Sequence, residues 1–209
     1  MSHQSRSHAA FLLAGGKSSR MGANKAFLDF RGQTLLDRAL AALRAACGNV
    51  TIVGDPETFA CYGPVVADVF AGCGPLAGIH SALLHSSAEL NLMLAVDMPF
   101  VSSELLRFLM HTAEAAAKDA SKESSALVIV PRTSRGLQPL CAVYLRDCLP
   151  IAEQALKAKR YKIDATFATL RLRIIDEPEL AAAGFSEKSF FNVNTPEDRR
   201  AADRFPHQT

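Results

Sequence analysis

The sequence contains no tryptophan, no Cys-x-x-Cys pair, no block of like charge and no long apolar run. The missing tryptophan decides nothing, but each other absence argues against a class of protein. Cys47, Cys61, Cys73, Cys141 and Cys148 are odd in number and widely spaced. That pattern argues against a disulfide framework and against a zinc knuckle, and it points to reduced thiols. The 23 basic residues nearly balance the 21 acidic ones, and no Lys/Arg run gathers the positive charge. Nothing in the chain therefore demands a nucleic-acid partner. A membrane-spanning helix needs about 20 consecutive apolar residues, which no segment approaches. Residues 1–10 are polar, and the apolar stretch behind them is too short for the core of a signal peptide. The expected setting is the cytoplasm.

What remains is the composition of an ordinary soluble globular chain: 209 residues, 49% hydrophobic and 21% charged. That length can bury a core without disulfides or metal clips and suits one domain. Residues 1–8 read as a disordered lead-in and 9–205 as a single domain, expected to act as a monomer. Residues 9–14 read as a buried strand. Residues 34–47 read as a helix, with Leu35, Leu36, Ala39, Leu40, Leu43 and Ala46 on one face, Thr34 and Asp37 as the cap and Gly48 as the stop. Short strands are expected at Val50–Val53 and at 65–67. Residues 74–78 open a second helix that runs to about 85.

Residues 90–96 form an apolar run with no alternation, as expected of a strand buried on both faces. Ser102 or Ser103 then caps a helix to about 118, and 118–125 read as a surface loop. Strands follow at 127–130, 139–145 and 172–175, with a helix at 149–158. Thr195-Pro196-Glu197-Asp198 combines a cap, a proline in the first turn and early acids, a strong helix start. Strands alternating with helices predict an α/β layer fold with a mostly parallel sheet. Ligands of such sheets sit at the carboxyl ends of the strands. There the sequence places Gly15-Gly16, Asp68 and Asp97.

The loop at 13–25 reads Leu13-Ala14-Gly15-Gly16-Lys17-Ser18-Ser19-Arg20-Met21-Gly22-Ala23-Asn24-Lys25. Glycines let backbone approach a ligand closely, successive N–H groups can face phosphate oxygens, and Arg20 and Lys25 can add positive charge. Two common phosphate motifs are excluded by counting. A P-loop ending at Gly16-Lys17-Ser18 needs glycine at position 11, which is Phe11; the dinucleotide fingerprint needs glycine where Lys17 or Ser18 stands. A strand, two adjacent glycines, an arginine and a lysine after a third glycine together point to phosphate binding rather than to a mere turn.

Asp97 leaves the apolar run just before Met98-Pro99. A carboxylate there suits Mg²⁺, which takes one or two carboxylates plus phosphate oxygens and waters. Asp68 also ends a strand, and it serves either as a turn residue or as an acceptor for a base edge or ribose. Gly72-Cys73-Gly74-Pro75-Leu76-Ala77-Gly78 allows close approach of a base and equally suits helix–sheet packing. His80 and His85 read as structural or surface residues. Phe190 to Thr195 reads as a short strand whose Asn192 and Asn194, two apart, share a face suited to a polar heterocycle or a phosphate.

Leu13-Ala14-Gly15-Gly16-x-Ser18-x-Arg20-Met21-Gly22-x-x-Lys25 resembles the signature loop of nucleotidyltransferases with a Rossmann-like fold. With Gly74-Pro75-Leu76-Ala77-Gly78, Val96-Asp97-Met98-Pro99 and Asn192-Val193-Asn194-Thr195-Pro196, the set is similar to the molybdenum cofactor guanylyltransferases, in order from about residue 11 to 204. The resemblance implies a three-layer fold with helices on both sheet faces. It implies transfer of GMP from GTP to molybdopterin carrying molybdenum, with release of pyrophosphate; because a free dinucleotide cofactor is fragile, hand-over to cofactor-delivery proteins is a separate expectation. By motif position, Leu13, Ala14, Gly15 and Gly16 would contact the nucleotide, Lys25 its phosphates, Asp68 the guanine nucleotide and Asp97 Mg²⁺. Lys25, Asp97 and Arg20 would be catalytic, and Asn192 and Asn194 would lie on the acceptor side. One departure stands out: the family often carries an asparagine at the end of the second strand, where this chain reads Ile52-Val53-Gly54-Asp55. A cytidylyltransferase with the same acceptor, or a GTP-binding paralogue without catalysis, are the rival readings.

Overall fold

A computed structural model describes residues 7–15, 24–118, 127–163, 166 and 170–205. The readings made for Gly16 and Arg20, and nearly all of the 118–125 loop, lie outside the described residues. The strands are β1 (His8–Leu13), β2 (Asp29–Phe30), β3 (Gln33–Thr34), β4 (Val50–Val53), β5 (Val65–Val66), β6 (Leu90–Ala95), β7 (Leu127–Thr133), β8 (Gly136–Leu137), β9 (Cys141–Leu145) and β10 (Arg171–Ile175). Helices are α1 (Leu35–Cys47), α2 (Pro56–Phe59), α3 (Pro75–His85), α4 (Ser103–Lys118), α5 (Leu149–Lys157), α6 (Glu177–Ala182) and α7 (Pro196–Asp203).

The main sheet runs β10-β7-β9-β6-β1-β4-β5, with β8 hairpinned onto β7. β6, β1, β4 and β5 are parallel, as are β10 and β7; β9 alone runs against both of its neighbours, β6 and β7. Alternate residues of each strand face opposite sides. Ala10, Leu12, Leu92 and Leu94 therefore join the apolar stripes of α1 and α4, while Phe11, Leu13 and Met93 join those of α3 and α5. Two cores on two faces make the three layers. Every residue of β6 is buried, which accounts for its unbroken apolar run. Its one polar member, Asn91, is buried with its Nδ2 donating to Ala88 O (3.2 Å) and Tyr144 O (3.3 Å).

Caps expected from the sequence form. Thr34 Oγ1 accepts from Asp37 N at 3.0 Å, and Gly48, at φ 76°, closes α1 by donating to Arg44 O. Gly74, at φ 78°, precedes Pro75 at the start of α3. One expectation fails. Residues 190–194 are not a strand: Glu187–Phe190 is a 3₁₀ turn, and the chain beyond it joins no sheet. Its backbone is drawn instead to the loop after β6, where Val193 N donates to Asp97 O at 2.8 Å. The alternation survives without the strand, because Val193 is fully buried between half-buried Asn192 and exposed Asn194. No helix among the described residues is long and apolar enough to cross a membrane.

Candidate active site

The parallel strands β6, β1, β4 and β5 deliver their carboxyl ends to one edge of the sheet. β1 ends in Leu13-Ala14-Gly15. Leu13 and Ala14 are buried at the mouth, and Gly15 is exposed. The amides of Ala14 and Gly15 both donate to Val53 O, at 3.0 and 3.1 Å. Those two N–H groups are therefore already used within the sheet edge.

Lys25 opens a 3₁₀ turn, Lys25–Phe27, whose preceding Asn24 accepts from Ala26 N at 3.1 Å through Oδ1. Ala26 is completely buried, which anchors the turn and holds the lysine stem in place. Lys25 Nζ lies 2.6 Å from Asp97 Oδ2, with both side chains less than one-fifth exposed. It also donates to Asn194 Oδ1. An ammonium carries three donors, so one remains for a ligand oxygen. Asp97 Oδ1 is buried and has no hydrogen-bond partner among the described residues. An unused anionic oxygen beside a bound cation fits a hard metal ion brought in with phosphates. Asn192 Oδ1 is likewise buried and unpaired.

Asn194 is held by α7. Asp198 Oδ2 accepts from Asn194 N (2.9 Å) and Thr195 N (2.8 Å), while Thr195 Oγ1 accepts from Asp198 N (3.1 Å), completing a capping box. Burial pushes the Asp198 carboxyl up. The Asn194 and Thr195 backbone donors, the Thr195 hydroxyl and the nearby Lys25 charge outweigh it and hold the group below its ordinary value. The sequence reading used Asp198 only as an early helix acid; the Thr-x-x-Asp spacing was the signal for its larger part.

Asp68 follows β5 at the same edge. Its Oδ1 accepts from Phe70 N (3.1 Å) and Ser81 Oγ (3.3 Å), so the turn reading of this residue is realised. His80 is a core residue and His85 a surface one. The His80 ring stands edge-on to Phe70 at 5.0 Å, with both nitrogens buried and without a hydrogen-bond partner among the described residues. Burial pushes its pKa down, against the smaller pull of Glu153 and Asp68.

The departure at Gly54 has a packing cause. A Cβ at position 54 would lie 2.9 Å from two atoms of the Phe59 ring, which is buried and stacks toward Phe27 at 5.8 Å. In this chain, position 54 is filled from the side by Phe59, which packs on Phe27 of the turn that carries Lys25. The neighbouring Asp55 is spent on capping α2, accepting from Glu57 N and Thr58 Oγ1.

Residues 10–171 match the model of the MobA-like NTP transferase domain. A probable molybdenum cofactor guanylyltransferase of Pelotomaculum thermopropionicum is 37% identical over 189 residues, 90% of this chain and 87% of that one. A molybdenum cofactor guanylyltransferase of Desulfosudis oleivorans is 34% identical over 195 residues, with 92% of each covered. The crystal structure of molybdopterin-guanine dinucleotide biosynthesis protein A from Archaeoglobus fulgidus superposes with a TM-score of 0.78 at 26% identity, over 93% of this chain and 96% of that one.

Proposed function

This chain belongs to the MobA-like NTP transferase family, and from that premise we propose that it transfers GMP from GTP to molybdenum-loaded molybdopterin and releases pyrophosphate. The names of its relatives support the substrates. The observation that carries the reading is the meeting of Lys25, Asp97 and Asn194, drawn from three separate motifs.

The nucleophile is a phosphate oxygen of the acceptor, already anionic at neutral pH, so no side chain has to remove a proton. It attacks the α-phosphorus in line; the new P–O bond forms as the bond from that phosphorus to the bridging oxygen of pyrophosphate breaks, and the electron pair leaves with pyrophosphate. The barrier lies in bringing anions together and in charge gathering on the leaving group, which positioning and fixed charges address. Lys25 donates its remaining N–H to a phosphate oxygen, with Arg20 adding charge from the loop. Asp97, through Oδ1, would hold Mg²⁺, which when bound neutralises triphosphate charge. Leu13, Ala14, Gly15 and Gly16 would line the nucleotide, Asp68 its guanosine side, and Asn192 and Asn194 the acceptor. Residues 9–205 would act as one domain, as a cytoplasmic monomer that passes its product to delivery proteins.

Pyrophosphate release with Mg²⁺ and molybdenum-loaded molybdopterin, offering GTP, CTP, ATP and UTP separately, tests the reading. Release with GTP alone is expected. Release with CTP alone would move the chain to cytidylyl transfer, and tight GTP binding without release would make it a binding protein.

A further inference from the structure

The carboxyl edge of the sheet continues past Asp97. β9 runs against β6 with Cys141 opposite Leu94, so the chain enters β9 from that edge. Leu140 O accepts from Ala95 N at 2.8 Å, which seats residues 138–140 beside the Val96-Asp97 exit. β7 runs against β9, and hence along β6, so it leaves at the same edge before turning back as β8. Leu13, Ala14, Gly15 and Asp68 follow β1 and β5, on the other side of β6. Gln138 and the β7–β8 hairpin therefore border the half of the edge away from the proposed nucleotide residues.

Gln138 is only 9% exposed, and its side chain is fixed. Nε2 donates to Thr133 Oγ1 at 3.1 Å and to Gly136 O at 3.3 Å. A carbonyl oxygen can only accept, so Gly136 O decides which end of the carboxamide turns inward. The backbone is used as well: Gln138 N donates to Pro131 O (2.8 Å), and Gln138 O accepts from Cys141 N (3.1 Å). What is left is Oε1. It accepts nothing from the described residues and, unlike Asn192 Oδ1, it is not sealed from solvent. The hairpin that carries its supports is braced. Ser134 Oγ donates to Glu187 Oε1 at 2.6 Å, and the Arg135 guanidinium lies 5.5 Å from the ring centre of Phe191, the neighbour of Asn192. A carboxamide with both donors spent and its oxygen open is a fixed acceptor. It favours an N–H and disfavours a second acceptor such as a phosphate oxygen.

We propose that Gln138 reads the heterocycle of the acceptor, its Oε1 accepting a hydrogen bond from the exocyclic amine of a pterin. The choice of a pterin rests on the acceptor proposed above; the demand for an N–H rests on the carboxamide alone. Phosphate chemistry stays at Lys25 and Asp97, and Gln138 holds the far end of the acceptor. It therefore sets which acceptor is taken more than how fast the phosphorus is attacked.

The test uses the full chain with GTP and Mg²⁺ in excess, so that the proposed guanine site, which takes an edge of the same hydrogen-bonding pattern, is filled. Binding of hydroxymethylpterin is compared with that of hydroxymethyllumazine, in which an oxygen replaces the exocyclic amine. The pterin should bind at least about fivefold more tightly, the worth of one neutral hydrogen bond. Gln138→Met keeps the length of the side chain and loses the oxygen; folded by circular dichroism, it should bind the two ligands equally. Thr133→Val removes one support of the carboxamide and leaves its oxygen, so both ligands should weaken with their ratio kept. Equal affinities in the parent, a preference that survives Gln138→Met, or no binding of either ligand would overturn the proposal. Pyrophosphate release with molybdopterin is scored separately. Its absence in a parent that still prefers the pterin would remove GMP transfer and leave Gln138 as a pterin contact. Where release occurs, Gln138→Met should raise KM for molybdopterin at least about fivefold and move kcat and the KM for GTP less.

Discussion

Lys25 sits where opposite demands meet. Its ammonium is matched by Asp97 Oδ2 and by the amide oxygen of Asn194, so the Lys25–Asp97 pair is close to neutral, and its charge turns outward through the donor left over. Lys25→Ala removes that donor and leaves Asp97 a bare carboxylate. Asp97→Ala removes the only unmet anionic oxygen seen at this edge among the described residues. Both variants should fold, because neither side chain belongs to the core, and each should lower turnover by roughly 10²–10³, the size expected for one preorganised electrostatic contact. Steady-state pyrophosphate release beside circular dichroism checks both halves; near-native rates in the pair would refute the site. The residue types were legible in the sequence, since glycine loop, strand-end Asp97 and Asn194 each carry a local signal. Their meeting was not, because contacts across 72 and 169 positions are set by the sheet. Phe59 filling the space beside Gly54 was equally invisible, since no local pattern links the two positions.

At the scale of elements, α7 holds one of the site's arms by its amino-terminal cap. Thr195→Ala should cost about 1 kcal/mol of stability in chemical denaturation. It should also raise KM for the acceptor more than it lowers kcat, because Asn194 loses its fixed register. Asp198 makes the same contact sensitive to acid. Its folded pKa lies below the ordinary 3.8, so the stability it confers is complete above that value and is lost as pH falls through the folded one. Asp198→Asn should thus be less stable than the parent at neutral pH, and the gap should narrow in strong acid; a gap independent of pH would contradict the assignment. Helices with a periodic apolar stripe were readable to within a residue or so, as α1 and α4 illustrate. The hairpin β2–β3 was not, because strands of two residues have no period to read. The short helices α2 and α6 were missed as well, although Asp55-Pro56 and Asp176-Glu177-Pro178, a cap followed by proline near the first turn, carried a signal for them.

For the whole molecule, thiols report on folding. All five cysteines are free. Cys61 is exposed, whereas Cys141 and Cys148 are buried in the sheet and under α5, and burial pushes both thiols up to about 12. At mildly alkaline pH a maleimide should modify Cys61 at once and Cys141 and Cys148 only at the rate of global unfolding. Rapid labelling of all three in the native protein would mean that the core opens locally. The overall α/β class followed from the alternation of elements, but the direction of β9 did not, since an apolar strand reads the same in both senses.

That reversed strand has a consequence for biosynthesis. β6 and β7 are separated in the sheet by β9, which is made after both. Until residues 141–145 leave the ribosome, the growing chain carries Leu90–Ala95, a strand buried along its whole length in the finished protein, as an open apolar edge that any other strand can pair with. A nonsense codon within that interval releases a fragment with this edge uncovered, so the emergence of β9 is what closes the β6 edge, leaving only the edge of β7 to wait for β10.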